Sequence, residues 1–315
     1  MQAARSRLVA ALMVVAAAMG PLSLSAQANR LANEVAASGG RVIVMLRPPT
    51  GAGLRAKGDP VFNDAALDAV VGRIGVRQRL AVRGRAAALG AVFADVAPAD
   101  AAALAADPEV LLVEADRPWP IAATVDDVPP AGRLADVVPW GVTKVTAPEV
   151  WSTLGNRGAG IKVGVLDSGG DSDHPDLRWA GGYNAITKST AASAWDDNVS
   201  SCNGHGTHVA GTIAALADGS GVVGVAPDVD LYAIKVFEII DGACQAWTST
   251  QITGLNWAVS KGIRLVNASV GGSYSGAYDA AIYNAAQSGT YLIGAAGING
   301  SYVMFPGASE YAIAV

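Results

Sequence analysis

IKVGVLDSGGDSDHPDL (residues 161–177) opens as a short apolar run and closes in Asp, Ser, Gly and Pro. A run of that length reads as a strand buried on both faces, ending at Asp167 in a turn. The downstream sequence repeats the theme. LYAIKVF (231–237), IRLVNASV (263–270) and TYLIGAA (290–296) are further buried-strand runs. Helical patterns around 207–217, from about Ser249 to Ser260 and from about Ala277 to Ala286 separate them. This alternation predicts an α/β fold with a doubly wound parallel sheet. Working residues in such sheets sit just past the carboxyl ends of strands. Three strand ends here are polar or Gly-rich: Asp167-Ser168-Gly169, Asn267 through Gly272, and Gly297-Ile298-Asn299-Gly300.

Upstream the pattern is different. RVIVML (41–46), AVFADV (91–96) and VLLVEAD (110–116) read as strands. Apolar residues spaced three or four apart between Asn63 and Arg85 predict an amphipathic helix or a helix pair, and a second helix is predicted from Pro98 through Leu104, ended by Asp107-Pro108. The order β, α, β, α, β describes a small α+β module. Pro118, Pro120, Pro129, Pro130 and Pro139 give residues 117–139 a linker composition, so a domain boundary is expected there.

The first residues look like an address. Arg5 and Arg7 precede twelve apolar residues, Leu8 to Met19, followed by Gly20-Pro21 and the small residues of Ala26-Gln27-Ala28. Twelve helical residues span roughly 18 Å, short of the roughly 30 Å of bilayer hydrocarbon, so the segment predicts a secretory signal and not an anchor. The expected location is extracellular or periplasmic, with no membrane association after signal removal. An oxidising compartment favours a disulfide between Cys202 and Cys244; a reactive cysteine is the alternative.

Composition narrows the function classes. The chain has 315 residues, 51% of them hydrophobic, and a net charge of -5, which excludes a disordered chain. The acidic excess lies after residue 120, so nucleic acid is not an expected partner.

The residues above resemble those of the subtilisin-like serine proteases. VGVLDSGGDSDHPDL (163–177) is similar to the segment holding that family's catalytic aspartate, and GHGTHVAGT (204–212) to the one holding its histidine. Gly224-Val225-Ala226-Pro227, Lys235-Val236 and NASVGGS (267–273) follow in the family's order, and residues 41–117 resemble its inhibitory propeptide. The resemblance implies a signal peptide (1–28), a propeptide that acts as intramolecular inhibitor (29–125) and the N-terminal part of a peptidase domain (126–315). It implies that His205 is the general base for a serine nucleophile and that Asp167 fixes its tautomer and stabilises the imidazolium. His208 is expected as a structural partner inside the helix, and His174 as a turn residue. Ser269, Val270, Gly271 and Gly272 match the strand end along which the family binds extended polypeptide substrates, with Gly242 to Cys244 as the opposite edge.

Two departures stand out. Where the family runs Ala-Ala-Gly-Asn, this chain runs Ala295-Ala296-Gly297-Ile298-Asn299. Ile298 cannot donate a hydrogen bond, so Asn299 is expected to serve the oxyanion after a one-residue insertion. The family's nucleophile motif, Gly-Thr-Ser before a small residue and Ala, does not occur, and Ser309 does not replace it. The sequence therefore reads as a piece of a longer precursor. The implied chemistry requires no cofactor. Asp176 and Asp218 are candidate carboxylates for a structural calcium ion, against the simpler reading of solvated surface acids. Two other functions are weighed: a noncatalytic protease-like module that holds peptides without cutting them, and residues 29–120 as a free-standing protease inhibitor.

Overall fold

A computed structural model describes residues 24–49, 59–121, 136–197, 202, 204–297, 300 and 302–315. The apolar run at 8–19 and most of the 117–139 segment lie outside the described residues.

The first lobe contains helix α1 (Leu24–Ala37), strand β1 (Arg41–Leu46), helix α2 (Asp64–Arg77), strands β2 (Ala81–Ala86) and β3 (Ala91–Asp95), helix α3 (Ala101–Ala105) and strand β4 (Val110–Ala115). Its sheet is antiparallel, in the order β2-β3-β1-β4. β1 is apolar throughout because both its faces are covered. Val42 and Val44 face the lobe's own helices with Leu67, Val70 and Leu104. Ile43 and Met45 face the second lobe with Phe93 and Leu89.

The helix or helix pair expected over 63–85 is corrected by the structure. α2 begins where the Asn63 side chain accepts from the Ala66 amide at 2.8 Å and ends at Arg77, whose guanidinium is held by Asp107 (2.8 Å) and Glu109 (2.6 Å). The remaining residues form β2, an edge strand on β3. Leu80 and Val82 keep the helical spacing by coincidence; the strand is mostly exposed and so carries no alternating apolar signature.

Proline-rich residues expected to be linker also turn out to be structured. Strand β5 (Pro118–Pro120) pairs antiparallel with β10, in a three-stranded sheet of order β5-β10-β9.

The second lobe runs β6 (Lys162–Asp167), β7 (Trp179–Asn184), helix α4 (His205–Ala214), β8 (Asp230–Lys235), β9 (Glu238–Ile240), β10 (Ala243–Trp247), helix α5 (Thr248–Ser260), β11 (Leu265–Ala268), helix α6 (Gly276–Gln287), β12 (Tyr291–Gly294) and β13 (Ile313–Ala314). Six strands pair in parallel in the order β13-β12-β11-β6-β8-β7. α4 packs on one face with Val163, Val165 and Leu231. The opposite face packs Leu166, Ile234 and Val266 together with buried residues of α5 and α6. The sheet is doubly wound, as the alternation predicts. Its connections turn in opposite directions from β6, toward β8 and toward β11, so the crevice at the ends of β6 and β11 is the place where such sheets bind ligands.

Candidate active site

Asp167 is the last residue of β6 and is completely buried. His205 is the first residue of α4, after Gly204 at φ 63°, and is 7% exposed. The two meet with His205 Nδ1 2.7 Å from Asp167 Oδ1. A carboxylate accepts, so Nδ1 carries the hydrogen and Nε2 keeps the lone pair a general base needs. Burial lowers the imidazole's pKa, but the bond to Asp167 and the charges of Asp167 and Asp197 outweigh it, and the net shift is upward.

A network of residues that spacing alone does not reveal fixes this pair. The Ser168 amide donates to Asp167 Oδ1 (2.7 Å), and the Gly206 amide donates to Ser168 Oγ (2.8 Å). Asp197 accepts from Ser168 Oγ (3.3 Å), from the Thr207 amide (3.1 Å) and from Thr207 Oγ1 (2.6 Å). Lys235, at the end of β8, donates to the Ser168 carbonyl; its pKa is lowered by burial and partly restored by the carboxylates of Asp197, Asp196 and Asp167. A Cβ on Gly206 would collide with the Gly169 carbonyl, so the approach of α4 to β6 requires glycine there. Asp197 lies in a loop with no strand or helix periodicity, which is why the sequence pattern gives no sign of it.

Ser269 through Gly272 leave the end of β11 and form one wall of a groove. Ile121 pairs antiparallel with Val270, and the Ile121 amide donates to the Cys244 carbonyl at 3.2 Å, so residues 118–121 lie between two strand edges. The opposite edge is β10, as expected for Cys244. Cys202, three residues before the histidine, is disulfide-bonded to Cys244. That bond joins the approach to the base to the groove's edge.

Other expected residues fall as follows. Ser309 Oγ donates to Asp279 (2.6 Å) and not to the imidazole, consistent with its exclusion as nucleophile. His174 sits in a turn, where its Nδ1 accepts from the Asp176 amide (3.2 Å). His208 lies within α4, where it was expected, and its side chain is exposed. Asn299 and Ile298 lie outside the described residues. Asp176 Oδ2 accepts from the Val222 amide (3.1 Å), while Oδ1 is buried with no partner among the described residues. Burial raises the Asp176 pKa, the Val222 amide lowers it and the charge of Asp218 raises it again, so the two acids are neighbours. Among the described residues the three-carboxylate group is a different one: Asp171, Asp173 and Asp196 bring one oxygen each within 4.8 Å.

An aspartate–histidine pair thus sits at the carboxyl end of a doubly wound sheet, beside a groove lined by strand edges. The Subtilase family model, of the peptidase S8 class, matches residues 158–315. Subtilisin E of Bacillus subtilis (strain 168) is 40% identical over 183 residues, which are 58% of this chain and 45% of that protein. Alkaline elastase YaB of Bacillus sp. (strain YaB) is 38% identical over 221 residues, 69% of this chain and 52% of the relative, and an alkaline protease of Shouchella clausii is 36% identical over 224 residues, 70% and 52%. The chain belongs to the subtilase family, and its parallel sheet is subtilisin-like. It spans about half the length of these relatives. Among the described residues no helix is long and apolar enough to cross a membrane.

Proposed function

We propose that the full-length protein is a secreted serine endopeptidase made as a precursor. Residues 1–28 direct export, 29–125 form an inhibitory propeptide, and 126–315 begin the peptidase domain. The observation that carries this reading is the 2.7 Å contact between Asp167 and His205 beside a groove that already holds an extended peptide, residues 118–121 of the same chain. His205 Nε2 takes the proton of a serine hydroxyl and returns it to the leaving amine, while Asp167 holds the tautomer and stabilises the imidazolium. Polypeptide substrates replace residues 118–121 against Ser269–Gly272 and β10, pairing through their backbone. Asn299 donates to the oxyanion.

The first lobe suits an inhibitor because it both enters the groove and caps two helices of the second lobe. Glu114 accepts from the Ala277 amide at the start of α6 (3.1 Å), and Asp116 accepts from the Ser249 amide (3.0 Å) and hydroxyl (2.7 Å) at the start of α5. Carboxylates at helix N-termini satisfy orphan amides and complement the helix dipole. A structural calcium ion bound by Asp176 and Asp218 belongs to the same reading: the buried, unpartnered Oδ1 of Asp176 is a hard oxygen donor of the kind calcium takes.

The test is hydrolysis of an unfolded protein substrate by the full-length enzyme, before and after treatment with a serine-phosphonylating reagent. Turnover that the reagent abolishes, and that His205→Ala lowers by several orders of magnitude, is the expected result. Peptide binding by the full-length protein without turnover would favour the noncatalytic reading.

A further inference from the structure

Lys235 and Asp167 are register partners at the ends of the adjacent parallel strands β8 and β6. Side chains alternate between the two faces of a sheet. Asp167 therefore shares a face with Val163 and Val165, and Lys235 with Leu231, which is the face packed against α4. The lysine rises beside the aspartate on the side that carries the base. Its half-buried ammonium donates to the Ser168 carbonyl, and the Ser168 amide donates in turn to Asp167 Oδ1 (2.7 Å).

Three carboxylates act on that ammonium: Asp167 from β6, and Asp196 and Asp197 from the loop ahead of α4. Their hydrogen bonds come from neutral donors. Asp197 accepts from the Ser168 hydroxyl and from the Thr207 amide and hydroxyl, and Asp196 accepts from the Ser172 amide (3.1 Å) and hydroxyl. Asp167 Oδ2 is buried with no partner among the described residues. Neutral donors satisfy oxygens and leave the negative charge in place, so a cation nearby is what balances it. Asp167 and Asp197 also act on His205. The lysine and the imidazole thus share the same two negative charges. Burying an ammonium is costly, and a neutral side chain would fill the same space at less cost. What a neutral side chain cannot do is offset the carboxylates.

We infer that Lys235 is a positioning residue that sets the pH range in which His205 is a base. Its charge offsets Asp167 and Asp197, so the imidazole gives up its proton at a lower pH than the carboxylates alone would allow. The inference rests on the reading of Asp167 and His205 as a catalytic pair and adds the residue that balances the pair's charge.

An NMR titration of the imidazoles tests it on the full chain without any need for turnover, since there are three histidines to follow, His174, His205 and His208. In Lys235→Met the His205 midpoint is expected to move up. Its neutral fraction at a fixed pH on the acid side then falls about three- to tenfold, the effect of one unit charge at short range in a protein interior. Lys235→Arg keeps the charge and is expected to hold that fraction within about twofold. A lysine that served packing alone would cost thermal stability in Lys235→Met and leave His205 where it was. That result, or an equal shift in Lys235→Arg, overturns the inference. Should Lys235→Met fail to fold, Lys235→Met/Asp197→Asn, which removes one charge of each sign, is compared with Asp197→Asn. The midpoint is expected to be higher in the double variant, and equal midpoints overturn the inference. Where the full-length protein hydrolyses a substrate, the acid limb of its kcat/KM profile is expected to move up with His205 in Lys235→Met, and a limb that stays in place overturns the inference. A shifted His205 in a full-length protein that hydrolyses nothing keeps the charge balance and loses the enzymatic reading.

Discussion

His205 meets two opposed influences, and their balance sets a pH dependence. Burial disfavours the imidazolium, whereas the bond to Asp167 and the charges of Asp167 and Asp197 favour it, leaving the pKa above the ordinary imidazole value. A base acts only when deprotonated, so kcat/KM of the full-length enzyme is expected to rise with pH through a midpoint above about 6.5. The same shift stabilises the folded state below the ordinary imidazole range and is lost as pH rises through the elevated value. Asp167→Asn removes the main raising contact; the midpoint is expected to fall and turnover to drop about 10⁴-fold, as a tautomer-fixing carboxylate is worth in other triads. A pH profile of both proteins checks this, and an unmoved midpoint would show that Asp167 does not set the imidazole's charge. At this scale the sequence was highly legible for Asp167 and His205, since both sit in long motifs. It was silent on Asp197, which reaches Ser168 and Thr207 from a loop without periodicity.

Helix starts carry the polar capping contacts between the lobes, beside the apolar face of β1 and β3. Glu114 is half-buried, and the desolvation pushes its carboxyl above the usual range, while the Ser275 hydroxyl and the Ala277 and Gly276 amides pull it back. Asp116 is fully buried and also paired with Arg41 (3.1 Å) and Arg83 (3.3 Å). Glu114→Ala and Asp116→Ala each remove a capping acceptor, at an expected cost of about 1 to 2 kcal/mol in docking of the first lobe. Trypsin nicking at Arg117 reads the effect as faster cleavage in either variant. Gly206→Ala is expected to be more damaging than an ordinary helix substitution, because its Cβ meets the Gly169 carbonyl and separates α4 from β6. The measurement is the spacing-sensitive His205 proton resonance together with thermal stability. Elements buried on both faces, such as β1, β6 and β8, were the readable ones, since their apolar runs leave no alternative. β7 and β2 were missed for the opposite reason. WAGGYN (179–184) gains its strand from pairing with β8, its glycines leaving room for the Trp195 and Tyr232 rings.

Over the whole molecule, one covalent bond and the proposed calcium site bear on stability. The Cys202–Cys244 disulfide closes a loop with a sequence separation of 42. By chain-entropy reasoning such a loop is worth about 4 kcal/mol, so the Cys202→Ser/Cys244→Ser protein is expected to unfold at distinctly lower urea. An unchanged midpoint would show that packing alone holds β10 against the approach to α4. Calcium chelation is expected to lower the melting temperature of the unaltered protein and to have no effect on Asp176→Ala; equal sensitivity in both would place any ion elsewhere. The two-lobe plan was visible in the change from β-α-β-α-β to alternating parallel units. The seating of 118–121 in the groove was not, because prolines point away from a strand until both neighbouring edges are known.

The most direct test is the fate of the full-length precursor on its own, followed by intact mass. Self-cleavage is expected between residues 122 and 139, just beyond the segment lodged in the groove, and none in His205→Ala. Cleavage at the same site and rate in His205→Ala would contradict it, since the base would then have no part in the reaction.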